Sequence, residues 1–77
     1  MANNKPNILY AREFGRRLTA RMDELGMTLT ELSEATGITK GYICLLMHGD
    51  HVPRADMIAK LARALDMATD ELINFTV

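Results

Sequence analysis

Apolar residues recur at helical spacing along most of the chain, which predicts an all-α fold. In the first third, Phe14, Leu18, Met22 and Leu25 stand at i, i+4, i+8 and i+11 and form one apolar stripe. This stripe predicts a first helix from near residue 8 to Leu25, which Gly26 ends because glycine readily adopts the left-handed conformation of a helix C-terminus.

Residues 28–49 have the pattern of two short helices joined by a tight turn. Thr28 and Glu31 have the spacing of a capping box, in which each side chain accepts a hydrogen bond from the backbone of the other residue. Gly37 is suited to end the first of these helices, and Thr39 can cap the start of the second. A helix, a three- to four-residue turn with Gly and a second helix is the spacing of a helix-turn-helix.

The remaining pattern predicts two more helices after a loop at residues 48–53 that is rich in turn formers. Pro53 suits a position at or just before the first turn of helix four. The core face of that helix is expected to contain Met57, Ile58, Leu61, Ala62 and Leu65. A short fifth helix begins at Thr69, with acidic residues in its favourable first turn. We therefore expect a flexible tail at residues 1–7 and one five-helix domain at residues 8–77.

Composition limits the classes of function. The 77 residues, 48% of them hydrophobic, can form one small core without room for a large pocket or a buried cofactor. A single cysteine excludes an internal disulfide, and no apolar run approaches the roughly 20 residues that span a bilayer. No paired carboxylates, nucleophile motif or phosphate loop can be placed. We expect a cytoplasmic protein that is not an enzyme, has no cofactor and contacts no membrane.

The net charge of −1 argues weakly against nucleic acid, but its distribution is uneven. In the first 21 residues the basic Lys5, Arg12, Arg16, Arg17 and Arg21 are opposed only by Glu13, whereas Asp23, Glu24, Glu31 and Glu34 follow without a compensating base. A local phosphate-binding rim is therefore possible, without general electrostatic attraction to DNA.

Cys44 and His48 are four residues apart, with Asp50 and His51 nearby, which permits a metal site to be drawn. Gly49 ends the helix between them, no fourth ligand is obvious, and zinc motifs usually contain a second cysteine. No orienting carboxylate supports Cys44 as a nucleophile either. We favour a small, half-buried side chain at Cys44 and expect no metal.

Several motifs occur together with glycines and caps at matching places: Gly26-Met27-Thr28, Glu31-Leu32-Ser33, Thr36-Gly37-Ile38-Thr39, Tyr42-Ile43, Leu46, Gly49, Leu61-Ala62, Ala64-Leu65 and Asp70-Glu71-Leu72. Over roughly residues 8 to 74 the chain thus resembles the phage repressor and Cro-type helix-turn-helix family, the XRE group. The resemblance implies a five-helix lambda-repressor-like domain whose third helix enters the major groove, bound as a dimer to a two-fold operator.

The positions that match the family's base-facing residues are Lys40, Gly41, Tyr42, Cys44 and Leu45. Lys40 can donate to guanine O6 or N7, Gly41 permits close approach, and Leu45 offers only apolar contact, for instance to a thymine methyl or to a protein partner. The matching phosphate contacts are Thr28, Thr39 and Arg54, with Arg12, Arg16 or Arg17 of the basic first helix. Phe75 and Val77 match a region where family dimers pair, or they cap helix one.

Three positions depart from the family pattern. Leu29 replaces a usual Gln that touches phosphate, and Leu45 replaces a commonly polar reader. Met22 and Met47 stand where members often bury an Arg–Glu pair, an exchange that is often neutral or stabilising for a fold. The departures therefore concern the DNA-reading surface and leave the fold unaffected.

The resemblance implies a sequence-specific transcriptional repressor of phage or prophage type, which binds an inverted-repeat operator as a homodimer. A second protein that binds the recognition surface is a possible antagonist. The alternative hypothesis is a protein-interaction module on the same fold, such as an antitoxin or an anti-repressor target, with weak or no DNA binding. The apolar stretch around Leu45 and the net negative charge favour this alternative.

Overall fold

The computed structural model describes residues 5–74, and every regular element in that range is a helix. In chain order the helices are α1 (Lys5–Leu25), α2 (Leu29–Thr36), α3 (Lys40–Met47), α4 (Ala55–Ala64) and α5 (Thr69–Ile73). The all-α, five-helix expectation is confirmed. Phe75 and Val77, proposed as dimer contacts, lie outside the described residues.

Helix α1 differs from the sequence expectation at both ends. It begins at Lys5 and not near Ile8, so residues 5–7 belong to the helix and not to a tail. Pro6 is compatible with this because proline is tolerated in the first turn, where its missing N–H has no intrahelical partner. At the other end Leu25 is 42% exposed, so its assignment to the buried stripe was wrong. It is the last residue of the helix, directly before the turn at Gly26.

One core joins α1 to the other four helices. Its fully buried large side chains are Phe14, Leu18, Leu32, Ile43, Leu46, Leu61, Leu65 and Leu72. Met22 is buried among them and Met47 packs against them, so an apolar pair occupies the place of the family's ion pair. Because α3 contributes Ile43 and Leu46 from one face, its opposite face is turned away from the core.

The helix-turn-helix is held by its caps, as the sequence predicted. Thr28 Oγ1 accepts the Glu31 N–H at 3.1 Å, and the Thr28 N–H donates to Glu31 Oε1 at 2.8 Å. Gly37 ends α2 in the left-handed conformation with φ of 76°, and Thr39 Oγ1 accepts the Tyr42 N–H at 3.3 Å. These bonds fix the direction in which α3 leaves the turn.

A close contact that the pattern did not predict holds α3 against α1. A Cβ atom at Gly15 would lie 2.7 Å from the carbonyl oxygen of Met47 and closer still to that of Leu46. Glycine therefore lets the backbone of α1 approach the C-terminal end of α3 directly. The position of α3 in the fold depends on this approach as well as on its buried side chains.

Candidate nucleic-acid interface

The face of α3 that points away from the core consists of small, basic and apolar groups. Lys40 and Gly41 are exposed, and Leu45 keeps 40% of its surface accessible although its neighbour Leu46 is fully buried. Gly41 and Leu45 lie one helical turn apart and therefore share a face. No atom comes within 4 Å of where a Cβ would stand at Gly41, so the surface is open there.

Lys40 lies at the junction of the two helices of the motif. Its Nζ approaches Thr30 Oγ1 of α2 at 3.4 Å, across the turn. This contact keeps the ammonium group on the same side as the N-terminal ends of α2 and α3. A cation at the N-terminus of a helix is disfavoured by the helix dipole. The dipole of α3 therefore does not stabilise the Lys40 ammonium group, whereas the contact with Thr30 can.

A groove between α3 and the start of α4 combines hydroxyl groups with cations. Thr39, Tyr42, Arg54 and Lys60 line it together with Gly37, Ile38 and Met57. The half-buried Tyr42 ring lies 5.6 Å, centroid to centroid, from the His51 ring. Arg54 also pairs with Asp56 at 3.2 Å, but both side chains are solvent-exposed, so the pair is weak. Donors and positive charge of this kind suit a phosphate group.

Lys60 is the member of this groove that sequence reasoning missed. The α4 pattern placed it only on the outward face of the helix. It lies three residues after Met57, which lines the same groove, so helical spacing brings both to one side of α4. That spacing was the available signal.

The three arginines of α1 proposed for phosphate contact occupy different surroundings. Arg16 and Arg17 both donate to Glu13, at 2.6 and 2.9 Å, and these bonds lower the pKa of the Glu13 carboxyl group from 4.5 to about 2. Arg17 also donates to the carbonyl oxygen of Glu71 at 2.9 Å, which attaches it to α5. Arg12 is exposed, and its backbone lies beside Gly49 in the loop after α3. Of these three arginines, Arg12 is thus the one that lies next to the loop that connects α3 to α4.

Two further site predictions involve groups that already have partners. The Thr28 N–H is occupied by the Glu31 carboxylate, so a phosphate at this N-terminus must compete with it. Cys44 is half-buried, with its Sγ 3.5 Å from His48 Nδ1. The same Nδ1 lies 2.7 Å from the Cys44 carbonyl oxygen, and a bond this short requires Nδ1 to donate its proton there. Cys44 therefore lies at the flank of the open face, with its thiol turned toward the end of the helix.

Metal-binding clusters and membrane-spanning helices are both absent from the described part of the chain. Between residues 5 and 74, no group of three or more His, Cys, Asp or Glu side chains is arranged to hold a metal ion. None of the helices in this range has the length and apolar character required to cross a membrane.

The fold and this surface define a helix-turn-helix domain. One face of α3, the second helix of the motif, is exposed. A sequence profile described as a helix-turn-helix domain matches residues 13–74. The chain belongs to the XRE-type helix-turn-helix family of transcriptional regulators.

Two solved structures agree with this assignment. The restriction-modification controller protein C.AhdI from Aeromonas hydrophila superposes with a TM-score of 0.78 at 29% identity, over 80% of this chain and 94% of that chain. An HTH_3 family transcriptional regulator from Vibrio cholerae gives a TM-score of 0.82 at 16% identity. That match covers 88% of this chain but 38% of the regulator, and at such identity it shows the fold alone.

Proposed function

We propose that this protein is a sequence-specific DNA-binding repressor that binds an inverted-repeat operator as a homodimer in the cytoplasm. The observation that carries the proposal is the division of α3, which buries Ile43 and Leu46 and leaves Lys40, Gly41 and Leu45 open. A helix supported from behind and accessible in front has the shape that the major groove admits. The base-facing set is Lys40, Gly41, Tyr42, Cys44 and Leu45.

Phosphate contacts would flank this helix. Arg54 and Lys60 bring two cations to the groove beside α3, where the hydroxyl groups of Thr39 and Tyr42 can add hydrogen bonds. Arg12 of α1, whose backbone lies beside Gly49 in the loop after α3, would contribute a third cation. Three such cations per subunit in a dimer give a slope of log affinity against log salt of about −5. Arg16 and Arg17 would contribute less, since both pair with the Glu13 carboxylate, which offsets one of their two positive charges.

Repression would follow from occupation of a promoter by two subunits, with one α3 in each of two successive major grooves. The likeness to a restriction-modification controller supports control of transcription by a small helix-turn-helix protein. On the basis of the family resemblance, we also propose a phage or prophage origin. Regulation would come from protein concentration or from a second protein that covers the α3 surface.

Binding to selected duplexes at two salt concentrations tests the proposal. Random duplexes are first enriched on the protein, and affinity is then measured by fluorescence anisotropy for the wild type and for single-charge variants. Lys40→Ala should lower affinity about 5- to 150-fold and relax one base preference. Arg54→Ala should weaken all sequences similarly and make the salt slope shallower by about 1 for each phosphate that its guanidinium group binds.

Arg63→Ala is the matched control, since it removes the same charge from the last turn of α4, where Arg63 lines a different depression together with Asp66 and Glu71. It should change neither sequence preference nor salt slope. Operator binding that is unchanged by Lys40→Ala would contradict the assignment of α3. Sedimentation of the complex should give two protein chains per inverted repeat, and a promoter fusion in cells should show lower reporter expression when the protein is present.

A protein-interaction module is the second candidate, favoured by the 40% exposure of Leu45 and the net charge of −1. An antitoxin or anti-repressor target would use the same open face of α3 to bind a protein. Size-exclusion chromatography with a candidate partner, beside the DNA measurement, separates the two functions. Salt-insensitive complex formation with protein, without enrichment of any duplex, would support this second function.

A further inference from the structure

We propose that Leu45 reads the C5 methyl group of a pyrimidine, so that the protein distinguishes thymine from uracil and 5-methylcytosine from cytosine. This inference rests on the proposed function and adds to it the chemical group that one position of the operator must present. It concerns recognition of a methyl group in the major groove, and it makes binding dependent on cytosine methylation wherever cytosine occupies that position.

The chemistry of the open face leads to this group. The Lys40 side chain can donate hydrogen bonds but cannot accept them. Gly41 has no side chain, and the Leu45 side chain can neither donate nor accept a hydrogen bond. Base edges in the major groove present mainly hydrogen-bonding atoms, and the C5 methyl of thymine is their largest apolar group. Against a polar edge, Leu45 would remove water without replacing its hydrogen bonds, which is unfavourable. Against a methyl group, both partners bury apolar surface.

The space around Leu45 permits such a contact. Its side chain is 40% exposed, and Gly41, one turn earlier on the same face, leaves an open notch because a Cβ there would touch nothing within 4 Å. A methyl group can therefore approach Leu45 on the side of Gly41, where no Cβ stands in its way. The thiol of Cys44, which flanks this face, is turned to His48.

The position of Lys40 supports DNA as the occupant and gives the operator a testable geometry. Lys40 and Leu45 are five residues apart, which is about 7.5 Å along the helix axis. The two side chains are thus close enough to contact neighbouring base pairs of one half-site. We therefore expect the thymine or 5-methylcytosine within a few base pairs of the guanine that Lys40 contacts.

Two parallel selections test the proposal, one with random duplexes made with dTTP and one with duplexes made with dUTP. The wild type should enrich a half-site with a strongly preferred thymine from the first library, and that preference should disappear in the second. Replacing only that thymine by deoxyuridine should weaken binding about fourfold per half-site, the effect of one buried methyl group. At the same position, 5-methylcytosine opposite guanine should bind more tightly than cytosine by a similar factor.

Leu45→Ala should bind the thymine and deoxyuridine duplexes equally. Val52→Ala, which truncates another exposed apolar residue outside α3, should keep the wild-type ratio. Thermal unfolding confirms that both variants are folded before binding is measured.

The outcomes separate this inference from the proposed function. Failure to enrich any duplex from either library would overturn the proposed function itself. Sequence-specific binding with equal affinity for thymine and deoxyuridine at every position would overturn only the methyl assignment. A thymine preference that persists in Leu45→Ala would assign the methyl contact to another residue and likewise overturn the role of Leu45.

Discussion

The two faces of α3 differ in both burial and surroundings. On one face Leu46 is fully buried, and its carbonyl oxygen meets the backbone of α1 at Gly15. On the other, Leu45 is 40% exposed and Gly41 has open space around it. Leu45 and Leu46 are identical in chemistry and adjacent in sequence, so their different roles come entirely from position. Residues that hold the helix and residues available for binding thus occur within the same turn of α3, on opposite faces.

The largest expected difference between the two faces is in the free energy of unfolding. Leu46→Ala should lower it by about 2–5 kcal/mol, because truncation removes apolar packing and leaves a cavity in the core. Leu45→Ala should change it by no more than about 0.5 kcal/mol, as is usual for surface positions. Urea unfolding followed by circular dichroism at 222 nm measures both. Equal destabilisation by the two variants would show that Leu45 also belongs to the core.

Two glycines allow the same comparison with one added methyl group. Gly15→Ala should destabilise by about 1–3 kcal/mol, since its Cβ would overlap backbone carbonyl oxygens that cannot move without displacing α3. Gly41→Ala should stabilise by about 0.5–1 kcal/mol, because alanine has the higher helix propensity and meets no obstacle. Thermal or urea unfolding of the two variants should therefore give shifts of opposite sign.

The DNA affinity of Gly41→Ala tests a further role of this glycine. If the close approach of α3 to DNA depends on the missing side chain, this variant should be more stable and yet bind duplex more weakly. A stabilised variant with unchanged DNA affinity would place Gly41 outside the contact region. A destabilised Gly41→Ala would instead contradict the open surroundings of that position.

The elements that sequence predicted well are those fixed by neighbouring residues. The capping box at Thr28, the left-handed Gly37 and the cap at Thr39 depend on groups within a few positions of one another, so spacing alone was sufficient. The same holds for the inward face of α3, where Ile43 and Leu46 follow helical periodicity. The outward side of α3 was then predictable by elimination, whereas the candidate base contacts on it were implied by the resemblance to the repressor and Cro-type family and remain predictions.

Sequence reasoning was weaker wherever the outcome depended on distances between helices. Nothing in a periodic pattern indicates that Gly15 meets the end of α3, or that Lys60 lines the groove with Arg54. The arginines of α1 illustrate the same limit, because the pattern identified a basic helix but not its partners. Arg21 donates to the carbonyl oxygens of Leu65 and Asp66, at 2.9 and 3.0 Å, and so stabilises the turn after α4.

The smallest expected effect concerns the pairs of Glu13 with Arg16 and Arg17 on α1. We expect these pairs to contribute to stability and not to DNA binding. The pKa of Glu13 is lowered to about 2, first by the hydrogen bond from Arg16 and then by that from Arg17. A carboxylate with a lower pKa in the folded than in the unfolded state stabilises the fold above its unfolded value, near 4.5, and loses this contribution as the pH falls toward 2. Because the pairs are partly exposed to solvent, the contribution should be about 1 kcal/mol or less.

Glu13→Gln should therefore be less stable than the wild type at pH 7 and approach it in stability near pH 2, as urea unfolding across this range would show. Arg16→Gln should reproduce part of the change, since it removes the largest single cause of the lowered pKa. The same Arg16→Gln variant should leave the salt slope of DNA binding close to that of the wild type. A slope reduced as much as in Arg54→Ala would assign Arg16 to the phosphate contacts, and the division between a binding face on α3 and a stabilising side on α1 would no longer hold.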